Sequence, residues 1–102
     1  MTATGRGGRN QEFALAAAMG APLIPAAFVV ASLGTDGVDG PTDAAGAITD
    51  STTLERARRA GLDPDACLGE YDSYRLFHAL GDLIRTGPTG TNVGDLQIVL
   101  LA

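Results

Sequence analysis

The amino-acid sequence predicts one α/β domain, residues 1–102, with a small, mostly parallel sheet that helices flank in three layers. Two apolar runs, residues 26–33 and 96–101, are interrupted only by Ser32 and Gln97, and their lack of alternation is typical of strands that are buried on both faces. Between them and before them, apolar residues recur at helical spacing. Because the chain has 102 residues, we expect a single domain.

The first predicted helix begins at Asn10 and ends at about Met19, in a stretch of strong helix formers. Asn10 is a candidate N-cap, and Glu12 lies in the first turn, where negative charge favours the helix dipole. Gly20 is a candidate C-terminal stop. Residues 21–25 contain two prolines and predict a connector that leads into the first strand.

Four helical segments are predicted between the two strands. Residues 42–48 predict a short helix, with Thr42 or Asp43 as its cap and Gly46 as a weak point. A second helix follows the caps at residues 49–52, and a third begins at Asp63 and Pro64. The fourth opens at residue 72 or 73 and carries an apolar stripe at helical spacing, formed by Tyr74, Phe77, Leu80 and Ile84.

Composition excludes several classes of protein. The formal net charge is −5, with 12 acidic and 7 basic residues, so the chain lacks the basic patch that nucleic acids require. One cysteine and one histidine exclude an internal disulfide and an ordinary zinc site, and Cys67 is expected to be a buried thiol. The chain has neither a membrane-spanning apolar run nor a signal-peptide pattern. We therefore expect a cytoplasmic protein that does not enter a membrane.

Three glycine-rich polar segments lie at boundaries between the predicted elements. We call them the first loop (residues 5–12), the aspartate loop (residues 34–46) and the threonine loop (residues 86–95). The first loop precedes a helix, the aspartate loop follows a strand, and the threonine loop precedes the second strand. Loops at strand ends are where ligands usually sit in α/β sheets.

Each loop has a chemical interpretation and a structural one. In the first loop, helix amides with Arg6 and Arg9 predict an anion site, but the arginines can equally be solvated charges. The aspartate loop carries Asp36, Asp39 and Asp43, which invite a cation, hydroxyl groups or a helix N-terminus, although aspartate and glycine are also ordinary turn formers. The threonine loop can offer amides and hydroxyls to phosphate, or can simply turn the chain. Neither a dinucleotide fingerprint nor a Walker A motif is present.

Taken in order, the motifs GRGGRNQE, GTDGVDGPTDAAGA, DSY and TGPTGTNVGDL resemble the MOFRL domain. This is the C-terminal domain of the bacterial and animal glycerate 2-kinases, which are also called hydroxypyruvate reductases. The resemblance implies a reaction of glycerate with ATP that gives 2-phosphoglycerate, in a cleft shared with a larger N-terminal kinase domain. It also implies a strand before the first motif, where only Thr2–Thr4 remain, so we expect a sheet that lacks its first strand and an exposed edge that could pair homo-oligomers.

The resemblance implies a set of site residues and cofactors. ATP and Mg²⁺ are the implied cofactors, glycerate and the N-terminal domain are the implied partners, and the chain alone is expected to be inactive. The implied catalytic residues are Arg6 and Arg9, and the implied Mg²⁺ ligands are Asp36 and Asp39. Substrate or phosphate binding is assigned to Gly7, Gly8, Asn10, Asp36, Asp39, Thr89, Gly90, Thr91 and Asn92. The alternatives are an NAD(P)H-dependent hydroxypyruvate reductase and a non-catalytic interaction fragment.

Overall fold

The computed structural model describes residues 6–20 and 26–101. The α/β class is confirmed. The elements in chain order are α1 (Arg9–Met19), β1 (Phe28–Gly34), β2 (Gly46–Asp50), α2 (Thr53–Arg59), α3 (Pro64–Gly69), α4 (Ser73–Leu80), β3 (Leu83–Ile84) and β4 (Asp95–Leu101). The predicted remnant of a first strand at Thr2–Thr4 and the predicted connector at residues 21–25 lie outside the described residues.

The prediction of a mostly parallel sheet is wrong. The four strands lie in the order β3-β2-β1-β4, and each of the three pairings is antiparallel. Parallel neighbours need a long crossover, usually through a helix, whereas antiparallel neighbours need only a loop. β2 follows β1 directly through the aspartate loop, so it returns beside β1 in the opposite direction.

Helices cover one face of the sheet. α1 packs against β1 and β2, and the other three helices pack around α1. Burial alternates along β1 accordingly: Phe28 and Val30 are buried, while Val29 is 41% exposed. Residues 6–20 and 26–101 therefore make two layers, so the predicted third layer and the predicted burial of β1 on both faces are not found in them.

The segment predicted as a short helix at residues 42–48 instead contains the start of β2. Gly46 lies against the backbone of Ser32 and Leu33 on β1, with no room for a Cβ atom. Ile48 and Thr49 are β-branched, which favours a strand. The glycine that weakened the predicted helix is thus the residue that lets two strands approach.

The remaining helices begin close to the predicted caps. Asp63 caps α3 by accepting hydrogen bonds from the amides of Asp65 and Ala66, and Cys67 on that helix is buried as predicted. α4 ends at Leu80 and is capped by Gly81, whose φ of 74° is left-handed, so Ile84 lies in β3 and not on the predicted helix. Across residues 6–20 and 26–101, no helix is long and apolar enough to cross a membrane.

The final strand is confirmed at Asp95–Leu101, but its predicted burial is wrong. All seven residues of β4 are exposed. Among the residues that the structure describes, β4 is an edge strand that pairs with β1 alone.

Candidate functional site

Antiparallel pairing brings the three glycine-rich loops to one end of the sheet. Gly34 at the end of β1 pairs with Asp95 at the start of β4, and Leu33 pairs with Gly46 at the start of β2. The aspartate loop leaves from this end, and the threonine loop arrives there. The N-terminus of α1 lies at the same end, since side chains from the other two loops bind its first turn.

Glycines let the loops touch through their backbones. A Cβ atom on Gly8 would collide with Asp39, and one on Gly40 would collide with the carbonyl oxygen of Gly7. Gly37 faces Gly87 of the threonine loop in the same way, and its φ of 86° also favours glycine. These glycines therefore do more than form turns, because they hold the three loops in contact.

The carboxylate of Asp39 caps α1 from a distance in sequence. Its Oδ1 accepts hydrogen bonds from the backbone amide and Nδ2 of Asn10, at 3.0 and 3.2 Å, and its Oδ2 accepts from the amide of Gln11 at 2.8 Å. Asp39 is only 2% exposed. Two of the helix amides that were predicted to bind a ligand anion thus bind a carboxylate of the chain itself.

Asn10 joins all three loops. It was predicted as the N-cap of α1, but Gly8 occupies that position and Asn10 lies inside the helix. Its Oδ1 accepts a hydrogen bond from the Ser32 hydroxyl at 2.7 Å, and its Nδ2 donates to Asp39 and to Asp95 at 3.2 and 3.1 Å. The side chain is 2% exposed and its amide is used on both sides, so Asn10 fixes the distance between the aspartate and threonine loops.

Arg9 is held by Asp95, a residue that is not among the predicted site residues. Arg9 Nε and Nη2 donate to the two carboxylate oxygens of Asp95, at 2.6 and 2.9 Å. Hydrogen bonds from Arg9, and then from Asn10, hold the pKa of Asp95 below its ordinary value. The Arg9 side chain is still 76% exposed, so a fixed guanidinium stands at the surface of the loop cluster.

Arg6 belongs to a second cluster beside the first loop. Its backbone is pinned by the DSY motif, since its amide donates to Asp72 and its carbonyl accepts from the amide of Tyr74. Its guanidinium lies 4.6 Å from the centre of the Tyr74 ring. The Tyr74 hydroxyl donates to Asp43 at 2.8 Å, and this bond, helped by Arg85, lowers the pKa of Asp43. Tyr74 was predicted as core alone; its place in the DSY motif was the available signal for more.

Asp36 and Thr89 connect the aspartate and threonine loops. The Asp36 carboxylate accepts a hydrogen bond from the amide of Val38 at 3.0 Å. The backbone carbonyl of Asp36 accepts one from the amide of Thr89 at 3.1 Å. The Thr89 hydroxyl donates to the carbonyl of Thr35 at 2.6 Å and accepts from the amide of Thr91 at 3.2 Å. Of the predicted binding residues in the threonine loop, Thr89 therefore stabilises the loop itself.

The rest of the threonine loop forms an open rim. Gly90, Thr91 and Asn92 are exposed, and Gly90 has a φ of 76° with nothing within 4 Å of an added Cβ. In residues 6–20 and 26–101 there is no group of three or more histidine, cysteine, aspartate or glutamate side chains that could hold a metal ion.

Glu12, the last residue of the first loop, has no ion pair among the described residues. Neither carboxyl oxygen has a hydrogen-bond partner there, although both are buried, and the hydroxyl of Ser73 lies beside the same glycine, Gly7. Burial raises the pKa of Glu12; the Ser73 hydroxyl opposes this shift, and the nearby carboxylates of Asp39 and Asp72 add to it.

Because of this raised pKa, the contribution of Glu12 to the stability of the fold should fall as pH rises. Because the folded state raises the pKa of Glu12, it binds the proton more tightly than the unfolded chain does. The stabilisation is complete below the ordinary glutamate pKa and is lost as pH rises through the raised value. Glu12→Gln should therefore increase the free energy of unfolding at pH 7 more than at pH 4, as measured by urea titration.

The matched control is Glu70→Gln, at an exposed position after α3, which should change stability little at either pH. An equal gain from Glu12→Gln at both pH values would contradict the assignment, because the gain would then come from something other than the charge.

This chain matches a known protein family and several curated relatives. The model of the MOFRL family matches residues 1–95. D-glycerate 2-kinase of Thermotoga maritima is 50% identical over 97 residues, which are 95% of this chain and 23% of the relative. A relative from Agrobacterium vitis that is named as a hydroxypyruvate reductase is 48% identical over 97 residues, again 95% of this chain and 22% of the relative.

A solved structure shows the same fold. The crystal structure of glycerate kinase from Thermotoga maritima superposes with a TM-score of 0.91 at 48% identity, over 100% of this chain and 24% of that chain. The chain therefore spans about a quarter of the length of the relatives it matches. With its motifs, its fold and its match over residues 1–95 in agreement, this chain belongs to the MOFRL family.

Proposed function

We propose that this chain is the C-terminal half of a glycerate 2-kinase active site, in which ATP and glycerate give 2-phosphoglycerate and ADP. The observation that carries the proposal is the convergence of the three loops at one end of the sheet, with Arg9 exposed and held in a fixed direction. Relatives at 45–50% identity that are named glycerate 2-kinases support the choice of substrate.

Phosphoryl transfer asks a protein mainly for position and charge. The attacking hydroxyl must stand in line with the transferred phosphorus, and cations must stabilise the charge on its oxygens. Arg9 offers a planar fork whose Nη1 takes no part in the pair with Asp95, so it can bind a phosphoryl or carboxylate oxygen. Arg6, stacked on Tyr74, offers a second cation for the glycerate carboxylate.

The open rim of the threonine loop is the proposed phosphate contact. Gly90, Thr91 and Asn92 can present amides and polar side chains to phosphate oxygens, because none of them is buried. Gly7, Gly8, Asn10 and Thr89 act behind this rim: their contacts keep the loops together, and they are proposed to position the residues that meet substrate.

The two aspartates implied as Mg²⁺ ligands fit the ion differently. Asp39 is buried with both oxygens occupied by hydrogen bonds, so it does not fit as a ligand. Asp36 is partly exposed, and one carboxylate suffices for an ion that keeps waters and binds the nucleotide phosphates. We assign Asp36 as the residue that would hold Mg²⁺, whose charge would offset that of the phosphates.

The first test is a chimera. This chain would replace the matching segment of the Thermotoga maritima enzyme, and MgATP-dependent phosphorylation of glycerate would be measured. The chimera is expected to turn over and the isolated chain is not, because half a cleft can neither hold both substrates nor exclude water. Oxidation of NAD(P)H with hydroxypyruvate by the folded chimera, without phosphorylation, would support the reductase instead. The absence of both reactions would support a non-catalytic fragment.

Arg9 is expected to matter through its geometry as well as its charge. In the chimera, Arg9→Ala should lower kcat/KM by about 100-fold, the usual cost of one donor to a transition-state oxygen. Arg9→Lys should recover only part of this loss, because lysine lacks the fork that Asp95 orients.

Arg58→Ala, on an exposed position of α2, is the matched control and should leave kcat/KM unchanged. If Arg9→Ala were as active as this control, Arg9 would be a structural partner of Asp95 and no more.

A further inference from the structure

The sheet face opposite α1 is largely apolar and uncovered in the described chain, although Asp50 of β2 also lies on it. The strand registers place Val29, Ala31 and Leu33 of β1 on this face, beside Ile48 of β2. Three residues of β4 pair with them and share the face: Leu96, Ile98 and Leu100. We call these seven residues the open face. Five of them are 40–62% exposed.

β4 is also exposed on its other face. Val99 and Leu101 point to the side that carries the helices, yet they are 56% and 69% exposed, because α1 lies over β1 and β2. An apolar pocket beside this strand is lined by Phe28, Val29 and Leu101, together with Ala27 and Leu100. A strand that is apolar on both faces is typical of the interior of a sheet.

Pairing of two copies of this chain through their β4 edges would not bury both faces of β4. Two copies could pair their β4 edges across a twofold axis, but each copy's helices would remain over its own β1 and β2. Both faces of the two β4 strands would stay in water. To bury both faces and the edge of β4, a partner must contact the strand on all three of these sides. The matched relatives have about three-quarters of their length outside the matched segment, which is enough chain to do so.

We propose that β4 is an interior strand in the complete protein: the rest of the larger chain adds a strand to its free edge and covers the open face together with Val99 and Leu101. This inference rests on the proposed function only in taking the chain as part of a glycerate 2-kinase. It assigns the surface that joins the two parts, which is separate from the loop cluster at the end of the sheet.

Thiol labelling tests the burial of each face. Ile98→Cys reports on the open face, Val99→Cys on the helix side, and Arg58→Cys on α2 is the control. Each variant is made in the isolated chain and in the chimera with the Thermotoga maritima enzyme, and labelling is read by mass spectrometry of the peptide. Burial of a thiol should slow labelling at positions 98 and 99 by more than about tenfold in the chimera, while position 58 stays fast.

The native thiol provides an internal reference. Cys67 is 1% exposed and burial raises its pKa, so it should label slowly in both proteins if they are folded. Equal labelling of position 98 in the chimera and the isolated chain would overturn the proposal. So would protection of position 98 in the isolated chain that grows with protein concentration, because a second copy would then be the occupant.

Amide hydrogen exchange tests the added strand. In the isolated chain, the β4 amides that face β1 should be protected and the alternate amides should exchange fast. In the chimera, the alternate amides should slow by about 100-fold. Fast exchange at these amides in a folded chimera would contradict strand addition. Neither measurement depends on catalysis, so an inactive chimera with protected strands would refute the proposed activity and leave this surface intact.

Discussion

Replacing Asp39 by asparagine is expected to lower the free energy of unfolding by about 3 kcal/mol, the cost of breaking a buried charged interaction. Oδ1 of Asp39 accepts two hydrogen bonds from Asn10, and Oδ2 accepts one from the amide of Gln11. An asparagine amide has only one oxygen, so its NH₂ group would face one of these donors. The favourable interaction of a carboxylate with the helix N-terminus would also be lost. Urea unfolding of the two chains measures the difference.

Asp36→Asn is the matched control for this change. It lies three residues earlier in the same loop, where its Oδ1 accepts one hydrogen bond from the amide of Val38, which an asparagine oxygen can also accept. We expect a change in stability within about 0.5 kcal/mol. In the chimera, we expect Asp36→Asn to reduce the Mg²⁺-dependent activity more than Asp39→Asn does, because Asp36 is the proposed Mg²⁺ ligand. Equal losses of stability from the two substitutions would show that Asp39 has no special role as a cap.

Gly46→Ala is expected to cost about 3 kcal/mol or more, because an added methyl group would meet backbone that cannot move aside. The Cβ atom would collide with the carbonyl oxygen of Ser32 and lie 2.7 Å from Cα of Leu33. Leu33 is the residue that pairs with Gly46, so β1 and β2 would be pushed apart where the aspartate loop begins and ends. Thermal unfolding and amide exchange of β2 would report the loss.

The same substitution at another glycine should have the opposite effect. Gly69 closes α3, its φ is not left-handed, and nothing lies within 4 Å of an added Cβ. Gly69→Ala should stabilise the chain by about 0.5 kcal/mol, since alanine loses less backbone entropy in a helix. If Gly46→Ala destabilised the chain no more than Gly69→Ala does, this would contradict the close approach of β1 and β2 at Gly46.

The sequence was most informative where structure is local. α1, α3 and the two long strands were found from composition and caps, because these signals lie within each segment. Strand direction is not local, and apolar runs suggested a parallel sheet only because they resemble buried strands. β4 has such a run, and its sequence is therefore typical of a buried strand. Among the described residues, however, all of β4 is exposed. β2 was missed because a strand of five residues containing glycine and alanine has no periodic signal of its own.

The sequence predicted three separate loops, and the antiparallel sheet brings them to one end. The partners inside the cluster were less predictable. Asp39 is 29 residues from Asn10, and Asp95 is 85 residues from it, so no spacing rule connects them. Tyr74 and Arg85 were missed for the same reason, because an apolar stripe explains a helical tyrosine without any polar contact.

The position of β4 in the chain has a consequence during synthesis on the ribosome. β1 ends at Gly34, but its second neighbour is complete only when Leu101 has emerged, and Phe28 pairs with that residue. Until then one edge of β1 is unpaired, and Asn10 and Arg9 lack Asp95. Exposed strand edges in unfinished chains promote misassociation. A nascent chain stalled before β4 should therefore be a chaperone substrate, and one stalled after β4 has left the tunnel should be released.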